Sequence, residues 1–237
     1  MKVEEHLAGA FGHADRAHAE WQTTHPILAR EEARLVRACF LPLGERVLDL
    51  GCAEGATLLH LGDPRGAVGL DLFEDKLTVA RELLEHARLV QGSAYELPFP
   101  DGSFDHVLIR DVVHHLDEPE RAAREVHRVL GPGGRVDVLE PCRYNPLIAM
   151  HAALNPAERG ELRSTPSFLS GLFRDGCELA TVARHQPLPL HRLVFHPSLG
   201  APRAHWLDGP VAALERAAAS VLPRAIWAYI HVRATRR

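Results

Sequence analysis

Short apolar runs alternating with helix-length stretches constrain this chain more than any other feature. Five runs, RVLDL at 46–50, AVGL at 67–70, RLVQ at 88–91, FDHVLI at 104–109 and GRVDVLE at 134–140, are each too short for a helix. Their near-continuous apolar character is that of strands covered on both faces. Between the second and third runs, 73–87 places Leu77, Ala80 and Leu84 on one helical face. Between the fourth and fifth, 120–130 sets Ala122, Val126, Val129 and Leu130 at helical spacing, and Gly131 and Pro132 supply the stop. Strands and helices in this alternation imply right-handed crossovers and a mostly parallel sheet, an α/β doubly wound domain. Ahead of it, 1–44 reads as a helical lead-in interrupted by Pro26. After it, 141–210 holds 9 of the 17 prolines, which predicts loops and short helices. A last strand is expected at 225–233, where Ile226, Ala228, Ile230 and Val232 alternate with Trp227, Tyr229 and His231. We read one domain over 1–237: a helical lid at 1–45, a ligand-binding half at 46–140 and a substrate-side half at 141–237.

Charge and cysteine usage exclude several classes. The chain carries 27 basic and 31 acidic residues, a net of -4, so no global positive field draws it to nucleic acid. Cys39, Cys52, Cys142 and Cys177 form no CxxC pair, which argues against a disulfide framework and a zinc knuckle and for a reducing compartment. The opening MKVEEHLAGA has no basic stretch leading into an apolar run, and no apolar segment approaches the roughly 18 residues of a spanning helix. A cytoplasmic protein without membrane insertion is expected; oligomeric state stays open. With 16 histidines, any one histidine cluster counts for less than usual.

In open parallel sheets, ligands sit beyond the carboxyl ends of the strands. The first such turn is GCAEG at 51–55. Gly51 lets the chain leave the strand in a conformation closed to other residues, and Gly55 permits close approach to a ligand or a neighbouring helix. A dinucleotide turn wants G-x-G-x-x-G, and here Ala53 and Ala56 stand where its later glycines would fall. Asp49 and Glu54 add negative charge, which suits a cationic ligand. Asp71, 20 positions beyond Gly51, closes the second strand, where a carboxylate can accept hydrogen bonds from both ribose hydroxyls. Adenosine without phosphates, beside acidic groups, points to S-adenosylmethionine.

VLDLGCAEG, VGLDLFEDKL, GSAYELPFPDGSFDHVLIRDVVHHL and REVHRVLGPGGRVDVLEP resemble, in order and spacing, the successive motifs of class I S-adenosylmethionine-dependent methyltransferases. The chain is similar in particular to the small-molecule and quinone-type members, over about 46–141. The resemblance implies a seven-stranded Rossmann-like sheet with a helical N-terminal cap. It implies that Gly51 and its neighbours Cys52 and Ala53 contact the methionine part through backbone groups. Asp71 would hold the ribose, Leu72 would pack on the adenine, and Ala94 would offer its N–H to the ring edge. Ser93 stands where such proteins often carry an aspartate for the adenine amino group, and its hydroxyl can still accept a hydrogen bond. Asp49, Gly55 and Arg110 complete the expected cofactor set.

Methyl transfer is an in-line displacement, so holding the acceptor near the methyl carbon supplies much of the acceleration, with a base helping where a proton must leave. Candidates lie where strands four and five end. IRDVVHHL offers Asp111 and His114 as catalytic groups. Packing or helix-end capping is the other reading of the histidine pair, with His115 its structural member. Adjacent imidazoles usually diverge, so no metal is expected at D-x-x-H-H. EPCRYNP adds Glu140, Arg143, Tyr144 and Asn145, of which Tyr144 is the third catalytic candidate, while Cys142 reads as a passive wall. Trp21 is equally a lid residue or plain core. The expected activity is methyl transfer to a small-molecule acceptor. The alternatives are a macromolecule methyltransferase, which the net charge and the lack of an N/D-P-P-aromatic motif disfavour, and a non-catalytic sensor or scaffold.

Overall fold

The computed structural model describes residues 13–196 and 201–237. The MKVEEHLAGA start and the rest of 1–12, counted above in the lead-in, lie outside the described residues. Two helices, α1 (Arg16–Thr24) and α2 (Leu28–Phe40), flank the break expected at Pro26. Helix α2 buries Leu28, Leu35, Val36, Cys39 and Phe40, and its buried stripe also contains one charge, Glu32. Then follow β1 (Val47–Leu50), α3 (Ala56–His60), β2 (Val68–Asp71), α4 (Glu74–Leu83), β3 (Arg88–Gln91) and β4 (Phe104–Arg110). Helix α5 (Pro119–Val129) starts with a proline in its first turn, where no N–H is needed, and buries Ala122, Ala123, Val126 and Val129. It leads into β5 (Leu130–Pro141). The last third holds α6 (Pro146–Leu154), α7 (Pro166–Gly171), β6 (Cys177–His185), α8 (Leu190–Val194), α9 (Asp208–Val221) and β7 (Tyr229–Arg236).

The seven strands form one sheet in the order β3-β2-β1-β4-β5-β7-β6. Pairings among β1 to β5 are all parallel, whereas β7 pairs antiparallel with both β5 and β6. The sheet is therefore mostly parallel and doubly wound, as the alternation predicts. The chain steps outward from β1 to β3 and then returns to β4, which puts the switch point at the carboxyl ends of β1 and β4.

Strand residues alternate between two cores. Leu48, Leu50, Val107, Ile109, Val136 and Val138 pack against α5 and α7 side chains such as Val126 and Leu169. Val47, Leu108, Leu139 and Tyr229 face Val36, Cys39, Phe40 and Leu58 of α2 and α3 on the other face. Side chains alternate along a strand, so Asp49, Arg110 and Asp137 share that second face.

The structure corrects the proline-rich third, which contains a nine-residue strand, β6. This strand ends the sheet order and is mostly exposed, so it carries no buried apolar run to announce it. The final strand also starts later than expected, because 224–226 forms a single 3-10 turn. Among the described residues, no helix is long and apolar enough to cross a membrane.

Candidate functional site

A half-open cleft of about 150 Å³ lies at the switch point, lined by Leu50, Gly51, Ala53, Leu70, Asp71 and Leu72 from the ends of β1 and β2. Gly51 has φ +75, and a Cβ there would come 2.4 Å from Val112 Cγ2, so only glycine fits. Gly51 and Cys52 both donate their N–H to the Leu70 carbonyl, at 2.7 and 3.0 Å, which ties the turn to β2. Ala53, at φ 47, also lies in the left-handed region, and its N–H donates to Asp71 Oδ2 at 2.9 Å. Phe73 N–H donates to Asp71 Oδ1 at 3.0 Å. Each Asp71 oxygen thus has one backbone donor and a further lone pair. The carboxylate is fixed by the turn it must serve.

Beneath this turn, Asp49 is 1% exposed and its Oδ2 has no hydrogen-bond partner. Burial pushes its carboxyl up to about 7, against the pull of Arg110, and Asp71 adds to the rise. Three other residues of the expected set make contacts of their own. Cys52 is buried against Gly69. A Cβ on Gly55 would sit 2.8 Å from Leu84 Cδ1, so the close approach there is to the end of α4. The Ser93 hydroxyl accepts the Tyr95 N–H at 3.1 Å, while Ala94 and Tyr95 line the cleft.

The far wall comes from the segment after β4, where Asp111, Val112, His115 and Leu116 line the cleft. Asp111 has φ 54, a strained conformation for a non-glycine residue, and its N–H donates to the Leu139 carbonyl at 3.0 Å. Burial raises its carboxyl above the ordinary range, although Arg110 and Arg192 oppose the rise. Glu140 holds the next turn. It accepts Val112 N–H at 2.7 Å and Val113 N–H at 2.8 Å, and its Oε2 lies 2.6 Å from His114 Nδ1.

That arrangement reverses the expected roles of the two histidines. His114 turns away from the cleft, with Nε2 3.3 Å from Glu158 Oε2. Burial alone would lower its pKa, but Glu140 and Glu158 push it up to about 10, so it is an imidazolium locked between two carboxylates. His115 is the one that lines the cleft. Burial, and then the charge on His114, push it down to about 4, which leaves a neutral imidazole. The two rings converge, with centroids 3.9 Å apart, because one 3-10 turn spans Val113–His115. One ligand atom each from His114, His115 and Glu158 lies within 4.8 Å of the others, but both His114 nitrogens already face carboxylates.

Arg110 also leaves the expected cofactor set. Its Nη2 donates to Glu32 Oε2 on α2, and its Nε lies 3.5 Å from Asp111 Oδ2. Arg192 of α8 clamps the same Glu32 through Nε and Nη2, both at 2.7 Å. Burial would raise Glu32, but Arg192 and Arg110 outweigh it and hold the carboxyl at about 2. A buried ion cluster of this kind adds little net stability, yet it fixes the guanidinium groups beside Asp111. Tyr144 is 51% exposed, with the Arg184 guanidinium 6.0 Å from its ring centroid, and is not part of the cleft wall. Sequence reasoning missed Tyr95, Val112, His115 and the Glu32–Arg192 clamp. A polar residue on the otherwise apolar stripe of α2 is the one signal that could have flagged Glu32.

Comparison with known proteins adds three observations. The family model described as a methyltransferase domain matches residues 48–137. A demethylmenaquinone methyltransferase from Listeria welshimeri is 32% identical over 139 residues, 55% of this chain and 55% of that protein. The chain therefore matches about half the length of such curated relatives. Among solved structures, a SAM-dependent methyltransferase from Thermotoga maritima, described as a possible histamine N-methyltransferase, superimposes with a TM-score of 0.68 at 21% identity, covering 98% of this chain and 99% of that one. Geranyl diphosphate methyltransferase, solved in complex with SAM, gives a TM-score of 0.64 at 20% identity, covering 89% of this chain and 86% of that one. At these identities the two structures speak for the fold.

Proposed function

We propose, on the premise that this chain is a member of the class I S-adenosylmethionine-dependent methyltransferases, that it transfers a methyl group to a small-molecule acceptor held between Asp111 and His115. The observation that carries the reading is the cleft at the switch point, with the glycine turn and Asp71 on one side and Asp111 on the other. Its residues fit the cofactor. Asp49 Oδ2, buried without a partner beneath the turn, is the anion that a cationic ligand would relieve. Asp71, with both oxygens oriented and lone pairs to spare, would accept the ribose hydroxyls. Leu72 and Leu116 would pack on the adenine, and the backbone at Gly51 and Ala53 would meet the methionine part. S-adenosylmethionine, when bound, supplies a methyl carbon made electrophilic by its sulfonium.

The protein's own part is positioning and, where the acceptor carries a proton, its removal. Asp111 is the candidate base. Partial burial raises its carboxyl above the ordinary range, and Arg110 and Arg192 favour the ionised form that accepts the proton. His115, kept neutral, can accept or donate one hydrogen bond to orient the acceptor. The acceptor class is supported by the small size of the cleft, by the net charge of -4 and by similarity to a protein named for demethylmenaquinone.

The test uses titration calorimetry with S-adenosylmethionine and a labelled-methyl assay on a metabolite extract, on nucleic acid and on total protein. We expect binding, with label entering the small-molecule fraction. Asp111→Asn should lower kcat by roughly 10²–10⁴-fold while leaving cofactor affinity within about twofold. Label in nucleic acid or protein alone would reject the acceptor class. Absence of binding at millimolar ligand would reject the cofactor reading.

A further inference from the structure

We propose that Cys39, His185 and His231 form a site for a single transition-metal ion of the zinc class, separate from the cleft. One ligand atom of each residue lies within 4.8 Å of the others, and none of the three lines the cleft. The sheet register builds two thirds of the site. In the antiparallel β6–β7 pair, His231 stands opposite Ala183 and His185 opposite Tyr229, so the two histidines are diagonal neighbours on one face. Their ring centroids are 5.7 Å apart. Helix α2 lays Cys39 over this pair, and Arg233 Nη2 fixes the helix end by donating to the Cys39 carbonyl at 2.8 Å.

Two further observations point to a ligand. His185 Nε2 is buried and has no hydrogen-bond partner, a state that costs free energy unless something pairs with it. His231 Nε2 lies 2.6 Å from Asp137 Oδ1, so a proton placed between them leaves Nδ1 with an open lone pair. A histidine oriented by a carboxylate on its far nitrogen is the usual second layer of a zinc site. Asp137 is itself held by His106 Nε2 at 2.9 Å and Arg233 Nε at 2.7 Å, so that layer is rigid.

One thiolate and two imidazoles favour zinc or copper over magnesium or calcium. Tetrahedral zinc with bonds of roughly 2.0–2.3 Å needs its ligand atoms to close to somewhat under 4 Å of one another, a movement of about an ångström for side chains. On binding, the Cys39 S–H bond breaks, its proton passes to solvent, and the sulfur lone pair forms the metal bond, with water completing the fourth position. The bound ion would bolt α2 to the β6–β7 pair. Because α2 carries Glu32, occupancy would also stiffen the clamp on Arg110 and Arg192. The other candidate, His114 with His115 and Glu158, is the weaker one because both His114 nitrogens are already engaged.

Tag-free protein, stripped with a chelator and titrated with cobalt chloride, tests the site. The expected result is one cobalt per chain, with intense visible bands of a four-coordinate ion and a sulfur-to-cobalt charge-transfer band, all displaced by zinc chloride. Cys39→Ser should abolish the charge-transfer band. His185→Gln, at a partly exposed strand position, should weaken cobalt binding by about tenfold or more with an unchanged circular dichroism spectrum. His115→Gln should leave the band intact. The proposal is overturned by no stoichiometric uptake at micromolar protein, by a band that survives Cys39→Ser, or by uptake lost in His115→Gln and kept in His185→Gln.

Discussion

Asp49 and Asp137 lie in one row of the sheet, each paired in register with Leu108 of β4, and they face the same α2 layer. Both are buried, at 1% and 0% exposure. Their surroundings differ entirely. Asp137 lies within hydrogen-bond distance of His106, His231 and Arg233, which overcome burial and hold its carboxyl well below the usual range. Asp49 has an orphaned Oδ2 and is pushed up to about 7. Burial alone therefore does not decide a carboxylate's state; its partners do. The partnered acid belongs to the framework, and the unpartnered one sits under the cleft, where a cationic ligand can complete it.

The largest effect that would break this contrast is at Asp137. Asp137→Asn strips charge from a carboxylate that two histidines and an arginine share, and we expect a loss of about 3–5 kcal/mol in urea unfolding. A loss below about 1 kcal/mol would mean the partners do not hold it, and the contrast with Asp49 would fail. Asp71 sits between the two cases, because it accepts two backbone N–H groups yet keeps lone pairs for a ligand. Asp71→Ala should weaken S-adenosylmethionine binding by about 1.5–3 kcal/mol, read by calorimetry. Unchanged affinity would remove Asp71 from the cofactor site.

Much of this was legible in the sequence, for identifiable reasons. Strands β1, β2, β4 and β5 are largely buried, so each announces itself as an apolar run, whereas the edge strand β3 shows only Leu89 and Val90. Gly51 and Asp71 follow from chain geometry, since the turn after β1 and the end of β2 are fixed by the sheet. Side-chain direction was not legible. His114 and His115 are adjacent, and only the pull of Glu140 and Glu158 decides which one leaves the cleft. The Glu32–Arg192 clamp joins residues 160 positions apart, for which no local pattern exists. Strand β6 is a mostly exposed edge, so burial left no mark on it. Tyr144 reads as a site residue from its loop but packs under Arg184 at the surface.

The smallest effect is the sharpest test of the comparison, because it runs in the opposite direction. Asp49 has a folded pKa of about 7 against 3.8 for an ordinary aspartate, so the native state holds the proton more tightly than the unfolded chain. Its contribution to stability is fully present below pH 3.8 and is lost as pH rises through about 7. Asp49→Asn keeps the shape and removes that titration, although its amide still lacks a partner. The variant should match the wild type near pH 4 and be the more stable of the two at pH 8, with the gain appearing between those values. The same change should weaken S-adenosylmethionine binding, since the anion beneath the Gly51 turn is gone. Unfolding curves at pH 4, 6 and 8, with and without the ligand, separate the two effects. A variant less stable at pH 8 would show that Asp49 is partnered after all and belongs with Asp137.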